Sequence, residues 1–192
     1  MKKLVVILSV LAITLNVSAQ SNVIEAGKSV GAVKLGMSQD EVIAAIGEPC
    51  AQRTYAQEEK EIIHFGRNLG QELRYNTHYD TVFEYENAPL PVHKLYFHEG
   101  HLVYLTLTAF GYGQATLNQL MLNKGIQLSD IKNITKAFGY PEITENFVDL
   151  KQSYFLSQGI DVMKYRGNIT AINIYEPIDN QVALGIKEKT GN

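Results

Sequence analysis

Val33–Pro49, VKLGMSQDEVIAAIGEP, and a weaker echo at Gly125–Pro141, GIQLSDIKNITKAFGYP, decide the reading of this chain. Each stretch reads as a helix start, an amphipathic helix of about two turns, a glycine stop and a proline that forbids continuation. Ser38 or Asp130 can accept hydrogen bonds from the first free N–H groups of its helix. Val42 with Ile46, and Ile134 with Phe138, lie one turn apart on the face turned toward a core. Gly47 and Gly139 suit the cap position that needs a positive φ, and Pro49 and Pro141 follow two residues on. The chain therefore reads as one plan built twice.

Each helix is followed at some distance by a hairpin. In His93–Thr108, HKLYFHEGHLVYLTLT, a three-residue loop of His98, Glu99 and Gly100 gathers Leu95, Phe97, Val103, Leu105 and Leu107 on one face. A two-residue Glu99-Gly100 turn would pair Phe97 with Leu102 and set Leu95 and Phe97 on the opposite face from Val103, Leu105 and Leu107, so the three-residue loop, with Gly100 left-handed in a bulge, is the expectation. It leaves Lys94, Tyr96, Leu102, Tyr104, Thr106 and Thr108 on the other face. In Ile160–Tyr175, IDVMKYRGNITAINIY, the same rule makes Tyr165, Arg166 and Gly167 the loop. Ile160 and Val162 then share a face with Ile172 and Ile174. Met163, Ile169, Ala171, Asn173 and Tyr175 take the other.

The rest of the chain fits around these units. Gly27–Gly36 reads as a short helix or loop, Gln57–Gln71 as a short helix or folded loop, and Ala115–Lys124 as a helix stopped by Gly125. Leu73–Tyr85 alternates with period two and is aromatic on one side; Val148, Leu150, Tyr154 and Leu156 alternate as a further strand. Pro49 to Gly100 is a much longer span than Pro141 to Gly167, so the first half carries an insertion. The division is residues 20–110 for the first repeat with an insertion around 52–80, 111–178 for the second, and 179–192 for a tail. Val182, Leu184 and Ile186 within that tail would suit an edge strand.

Residues 1–19 have the pattern of a secretory signal peptide: Lys2 and Lys3, the apolar run Leu4–Leu15, then Val17-Ser18-Ala19 before a cleavage point. Leu4–Ala19 is interrupted by Ser9, Thr14, Asn16 and Ser18 and is short beside the roughly 20 residues of a spanning helix. The expectation is a periplasmic or secreted chain, cleaved near Ala19, with no transmembrane segment in its mature form. The sequence carries 17 basic and 20 acidic residues, a formal charge of −3, and becomes more acidic once Lys2 and Lys3 are removed. With no lysine or arginine run, that balance argues against nucleic acid as partner. Cys50 is the only cysteine, so no intramolecular disulfide can form; it reads as a small buried residue rather than a reactive thiol.

Catalytic patterns are missing. There is no Gly-x-Ser-x-Gly element, no cysteine with an evident histidine partner, and no lysine-bearing phosphate loop at Gly111–Gly113. The five histidines all fall between residues 64 and 101, which makes a metal or hydrolytic site from His78, Asp80, His98 and His101 the alternative reading. Yet no tight ligand pair on a helix accompanies them. No cofactor is expected.

LGMSQDEVIAAIGEP followed by a strand and a hairpin such as LYFHEGHLVYLTL resembles the repeat of β-lactamase inhibitor proteins and of the SmpA/OmlA group, which includes the small lipoprotein subunit of the outer-membrane barrel assembly machine. The residues that carry the resemblance are Leu35, Gly36, Met37, Val42, Ile46, Gly47, Pro49 and Gly100, with Gly139, Pro141 and Gly167 in the second half. It implies an α+β fold: two helix-loop-helix plus antiparallel-sheet repeats joined into one curved sheet, with helices on one face. The lipoprotein relatives carry an anchoring cysteine, and the inhibitor proteins disulfides, that this chain lacks.

On such a scaffold Tyr96, Leu102, Tyr104, Met163, Ile169 and Tyr175 would occupy the concave side. Either the tail, the insertion or a second copy covers them, or they form an open tyrosine-rich platform suited to protein recognition. The functional expectation is an exported protein- or peptide-binding module acting on another envelope or extracellular protein.

Overall fold

The computed structural model describes residues 22–63, 78–109, 112–122, 125–128 and 131–179. The fold is α+β and mostly strand. Eight strands form the main sheet, every neighbour antiparallel. From one edge to the other they are Ile143–Asn146 (β10), Leu150–Phe155 (β11), Ile160–Tyr165 (β12), Asn168–Tyr175 (β13), His101–Thr108 (β7), Val92–His98 (β6), Thr81–Glu84 (β5) and Ala51–Thr54 (β4). The two hairpins meet where β7 pairs β13, with Tyr104 opposite Tyr175 and Leu105 opposite Ile174.

A second sheet of five short strands runs Val33–Lys34 (β3), Ser29–Val30 (β2), Val23–Glu25 (β1), Met121–Leu122 (β8) and Ile126–Gln127 (β9). The stretch Gly27–Gly36 is thus a strand meander rather than a helix, turning at Gly27 and Gly31, both with positive φ. β1 runs parallel to β8, setting Ile24 against Leu122. The helix expected over Ala115–Lys124 is only Gln114–Asn118 (α3). Gln119 and Leu120 donate back to Thr116 and Leu117, three residues away, and this tightened turn releases the chain into β8.

Helix Gln39–Ile46 (α1) forms as its caps dictate. Glu41 N–H donates to Ser38 Oγ at 3.3 Å and Ser38 N–H to the Glu41 carboxylate at 2.8 Å, a reciprocal cap. Gly47 ends it at φ 92°, ψ 178°, a region essentially reserved for glycine. Val42 and Ile46 are buried. They join Ile24, Val30, Val33, Leu95, Phe97, Leu105, Leu107, Val162, Ile172 and Ile174 in the larger core. Tyr85 donates its hydroxyl to the Gly47 carbonyl at 3.1 Å, tying the helix end to the sheet.

Helix Ile131–Phe138 (α4) occupies the place of the second motif. Asp130 and the side chain of Ile134 lie outside the described residues. Phe138 is only partly buried, its ring 5.6 Å from Phe155. α4 lies toward the outer strands beside an open hollow lined by Thr135, Thr144 and Phe155, which denies it the enclosure that Val42 has.

Helix Tyr55–Ile63 (α2) falls in the stretch expected to be an insertion and packs on the opposite face of the sheet from α1. Tyr55 packs 5.1 Å from Tyr79, and Lys94 holds both oxygens of the buried Glu58 at 2.8 and 3.0 Å. The expectation of helices on one face is therefore corrected: this ion pair and the tyrosine contacts hold a helix on the other.

Both hairpins also correct the expected loops. Glu99 and Gly100 have φ 49° and 78°, Arg166 and Gly167 49° and 86°. Positive φ at both positions makes two-residue turns whose twist matches the strands. Phe97 faces Leu102, then one extra residue, Val103, shifts the register so that Tyr96 faces Tyr104 and Leu95 faces Leu105. In the second hairpin Lys164 faces Ile169, Thr170 is extra, and Met163 faces Ala171. These bulges reconcile a short turn with Leu95, Phe97, Leu105 and Leu107 on one side; they carry Leu102 and Ile169 into that larger core and turn Val103, expected there, toward the tyrosine side instead.

Three smaller readings change. Val148 is a fully exposed turn residue, not a strand position. Cys50 is exposed, because it precedes edge strand β4; its thiol donates to the Glu84 carbonyl at 3.2 Å. Leu73–Thr77, the tail from residue 180 and the N-terminal segment lie outside the described residues. Among the described residues no helix is long and apolar enough to cross a membrane.

Candidate functional site

The platform expected from sequence is internal. Tyr96, Tyr104 and Tyr175 are 2 %, 0 % and 1 % exposed, and Leu102 and Ile169 are buried on the opposite face; only Met163 is partly accessible. The tyrosines form a ladder across the strands: Tyr79 edge-on to Tyr96 at 5.0 Å, Tyr96 edge-on to Tyr104 at 5.5 Å, and Tyr104 stacked on Tyr175 at 5.4 Å. Such geometry suits the aromatic quadrupoles and forms a second core. Tyr55 of α2 and Ile178 of the segment after β13 pack against it.

Beside the ladder, Asp161 is wholly buried. Asn173 donates to its Oδ1 at 2.7 Å and Gln152 at 3.1 Å, while Thr106 donates to Asn173 Oδ1 at 2.8 Å and Tyr154 to Glu145 at 2.6 Å. Burial first, and the Asp161 charge second, push the Tyr154 and Tyr175 hydroxyls well above the ordinary phenol value. These groups stay neutral and sealed from solvent, so they order the sheet rather than meet a substrate.

The histidine cluster does not converge either. His98 Nδ1 is 3.9 Å from Asp80 Oδ2, the His78 and His98 rings are 6.4 Å apart, and His101 Nδ1 lies 3.0 Å from the Glu99 carbonyl. Asp80 instead accepts the Glu99 N–H at 2.7 Å, closing the first hairpin turn. Among the described residues no group of three or more His, Cys, Asp or Glu side chains is placed to hold a metal ion.

What the structure leaves open lies at one corner of the second half. Among the described residues the exposed large apolar side chains are Tyr140, Phe147, Val148 and Tyr165. The β10–β11 turn carries Phe147 and Val148, and the β12–β13 turn presents Tyr165, because Leu150 pairs with Tyr165 across β11 and β12. Arg166 N–H donates to the Asp149 carbonyl at 2.9 Å, its guanidinium reaches Asp149 Oδ2 at 3.4 Å, and it lies 5.1 Å over the Tyr165 ring. The turns are thereby joined into one tip beside an open groove of about 300 Å³ lined by Asn146–Lys151, Lys164, Arg166 and Gly167. Sequence reasoning missed this tip, since β10 carried no clean alternation. The available signal was Phe147-Val148 and Tyr165 inside turns, where polar residues are usual. No family model, curated protein or solved structure matches the chain.

Proposed function

We propose that this chain is an exported binding module that takes a segment of another envelope or extracellular protein on the tip formed by Phe147, Val148, Tyr165 and Arg166. The observation that carries the reading is the gathering of exposed apolar side chains on two turns tied together by Arg166 and Asp149. Aromatic and arginine side chains are the groups that most often anchor protein interfaces. Arg166 over Tyr165 also favours a partner segment with an acidic residue next to an apolar one.

The two-repeat scaffold, and with it the resemblance to β-lactamase inhibitor proteins and the SmpA/OmlA group, belongs to the same proposal. What supports it is the identical turn and bulge in both hairpins. Export rests on the N-terminal pattern alone.

A photo-crosslinking amino acid placed at Val148 or Tyr165, with exposed Asp40 and Glu48 as control positions, tests the site in the full chain expressed with its leader. The expected result is one shared adduct from Val148 and Tyr165, absent from the controls and lost in Phe147→Ser. The same adduct from all four positions, or none from the tip, would reject this surface.

A further inference from the structure

Next to the tip, on the face of the sheet that α1 covers, lies an open hollow of about 400 Å³ between α4 and strands β10–β12. Lys151 of β11 and Lys164 of β12 stand directly opposite one another and both line it. Like charges in such a pair, with Cβ atoms about 5 Å apart, are destabilising. Neither lysine has an ion-pair partner among the described residues. The carboxylates of the adjacent strands do not help: Asp161 and Glu145 sit on the reverse face with Gln152 and Tyr154, and Asp149 is engaged by Arg166. Burial first and then Lys151 lower the Lys164 pKa, as expected for an ammonium facing another across a partly enclosed space.

The remaining lining is equally informative. Ser153 and Thr144 face each other on β11 and β10, and Thr135 adds a third hydroxyl from α4. Phe155 and Val162 form an apolar floor, and the Tyr140 ring stands at the rim, 90 % exposed. A pair of cations unpaired among the described residues, hydroxyl donors and an apolar floor in one concavity is the donor set for an anion carried on an apolar body.

We propose that this hollow binds a small organic anion, its carboxylate or phosphate held between Lys151 and Lys164 and its apolar body laid on Phe155 and Val162 beneath Tyr140. The anion removes the repulsion between the lysines, and Ser153 supplies a neutral hydrogen bond to it. Lys151 and Lys164 also border the tip groove, but the hollow uses none of Phe147, Val148, Tyr165 or Arg166.

The test is a titration of the mature chain with phenyl phosphate, benzoate, inorganic phosphate and neutral benzyl alcohol at constant ionic strength, followed by amide chemical shifts and melting temperature. Phenyl phosphate or benzoate should shift the amides of Lys151, Ser153 and Lys164 and raise the melting temperature, at least tenfold more tightly than inorganic phosphate or benzyl alcohol. Lys151→Met and Lys164→Met should each weaken that binding about tenfold or more, the loss expected for one charge-assisted contact. Each variant should also melt no lower than the parent, since it relieves the repulsion while keeping the side-chain stem. Binding that is unchanged in the double variant, equally tight for benzyl alcohol, or no tighter for the aryl anions than for phosphate would overturn the assignment. So would the absence of shifts with every anion. Phe147→Ser, which disables the tip crosslink but does not touch the hollow, should leave the aryl-anion titration unchanged, so failure here is separable from failure of the partner site.

Discussion

A tyrosine on this sheet means opposite things on its two sides of exposure. Tyr104 is fully buried, flanked by Tyr96 and Tyr175, while Tyr165 is 43 % exposed at a turn. Pattern alone marks Tyr104 as a recognition residue and predicts that serine there leaves folding nearly intact. The structure reverses this. Tyr104→Ser removes the central ring of a close-packed ladder and should cost roughly 3–5 kcal/mol, the range for truncating a buried aromatic. Tyr165→Ser should change stability by no more than about 0.5 kcal/mol. Urea denaturation of the two variants decides the matter; equal small losses would mean that the ladder is not a core. The alternation that placed Tyr96, Tyr104 and Tyr175 on one face was legible in the sequence. The pattern left open whether the insertion, the tail or a second copy covers them or they form an open platform, because the cover depends on where α2 and Ile178 come to rest.

Turn and bulge act together at the level of the hairpin. Glu99 and Arg166 adopt φ 49° beside glycines at 78° and 86°, and a left-handed conformation costs an ordinary residue about 1–2 kcal/mol. Asparagine tolerates that region better, so Glu99→Asn should raise stability by several tenths of a kcal/mol, up to about 1. Gly167→Ala should lower it by about 1–2 kcal/mol. Opposite shifts in denaturation midpoint are the expected pair of outcomes, and a stabilising Gly167→Ala would show that the turn relaxes to another type. Positive φ at Gly100 and Gly167 could be read from sequence, because a glycine between two apolar runs has few other uses. The bulges at Val103 and Thr170 could not, since the expected bulge sat in the loop at the glycine itself. A uniform register forces a choice between a two-residue turn and a one-sided apolar face, whereas Val103 and Thr170 let the chain have both. That shift moved Leu102 and Ile169 from the expected surface into the core. The helix stops were legible for the same reason as the turns, whereas β1–β3 and β10 are short, carry no clear alternation, and form only because a neighbouring strand pairs with them.

Two seams hold the halves of the molecule together, and each involves residues distant in sequence. One is the β7–β13 ladder, which joins the hairpins edge to edge. The other is the parallel pairing of β1 with β8, where Ile24, buried in the larger core, meets Leu122 from the opposite half. Gly27 reinforces it by donating its N–H to the Gly159 carbonyl at 3.2 Å, so the start of the first half is pinned to the end of β12's approach. A chain cut between residues 110 and 111 would expose the paired edges of β7 and β13 and strip Ile24 and Leu122 of their partners. Neither piece then has a closed core. The expectation is a single cooperative unfolding transition for residues 20–192, with far-ultraviolet and tyrosine near-ultraviolet circular dichroism coinciding; the 11 tyrosines and absence of tryptophan make the latter the natural probe. The fragments 20–110 and 111–192 should each lack a cooperative transition alone and recover tyrosine ellipticity when mixed. A cooperative melt from either fragment by itself would show that the repeat, not the joined sheet, is the folding unit, and would transfer the origin of stability from the two seams to the interior of each half.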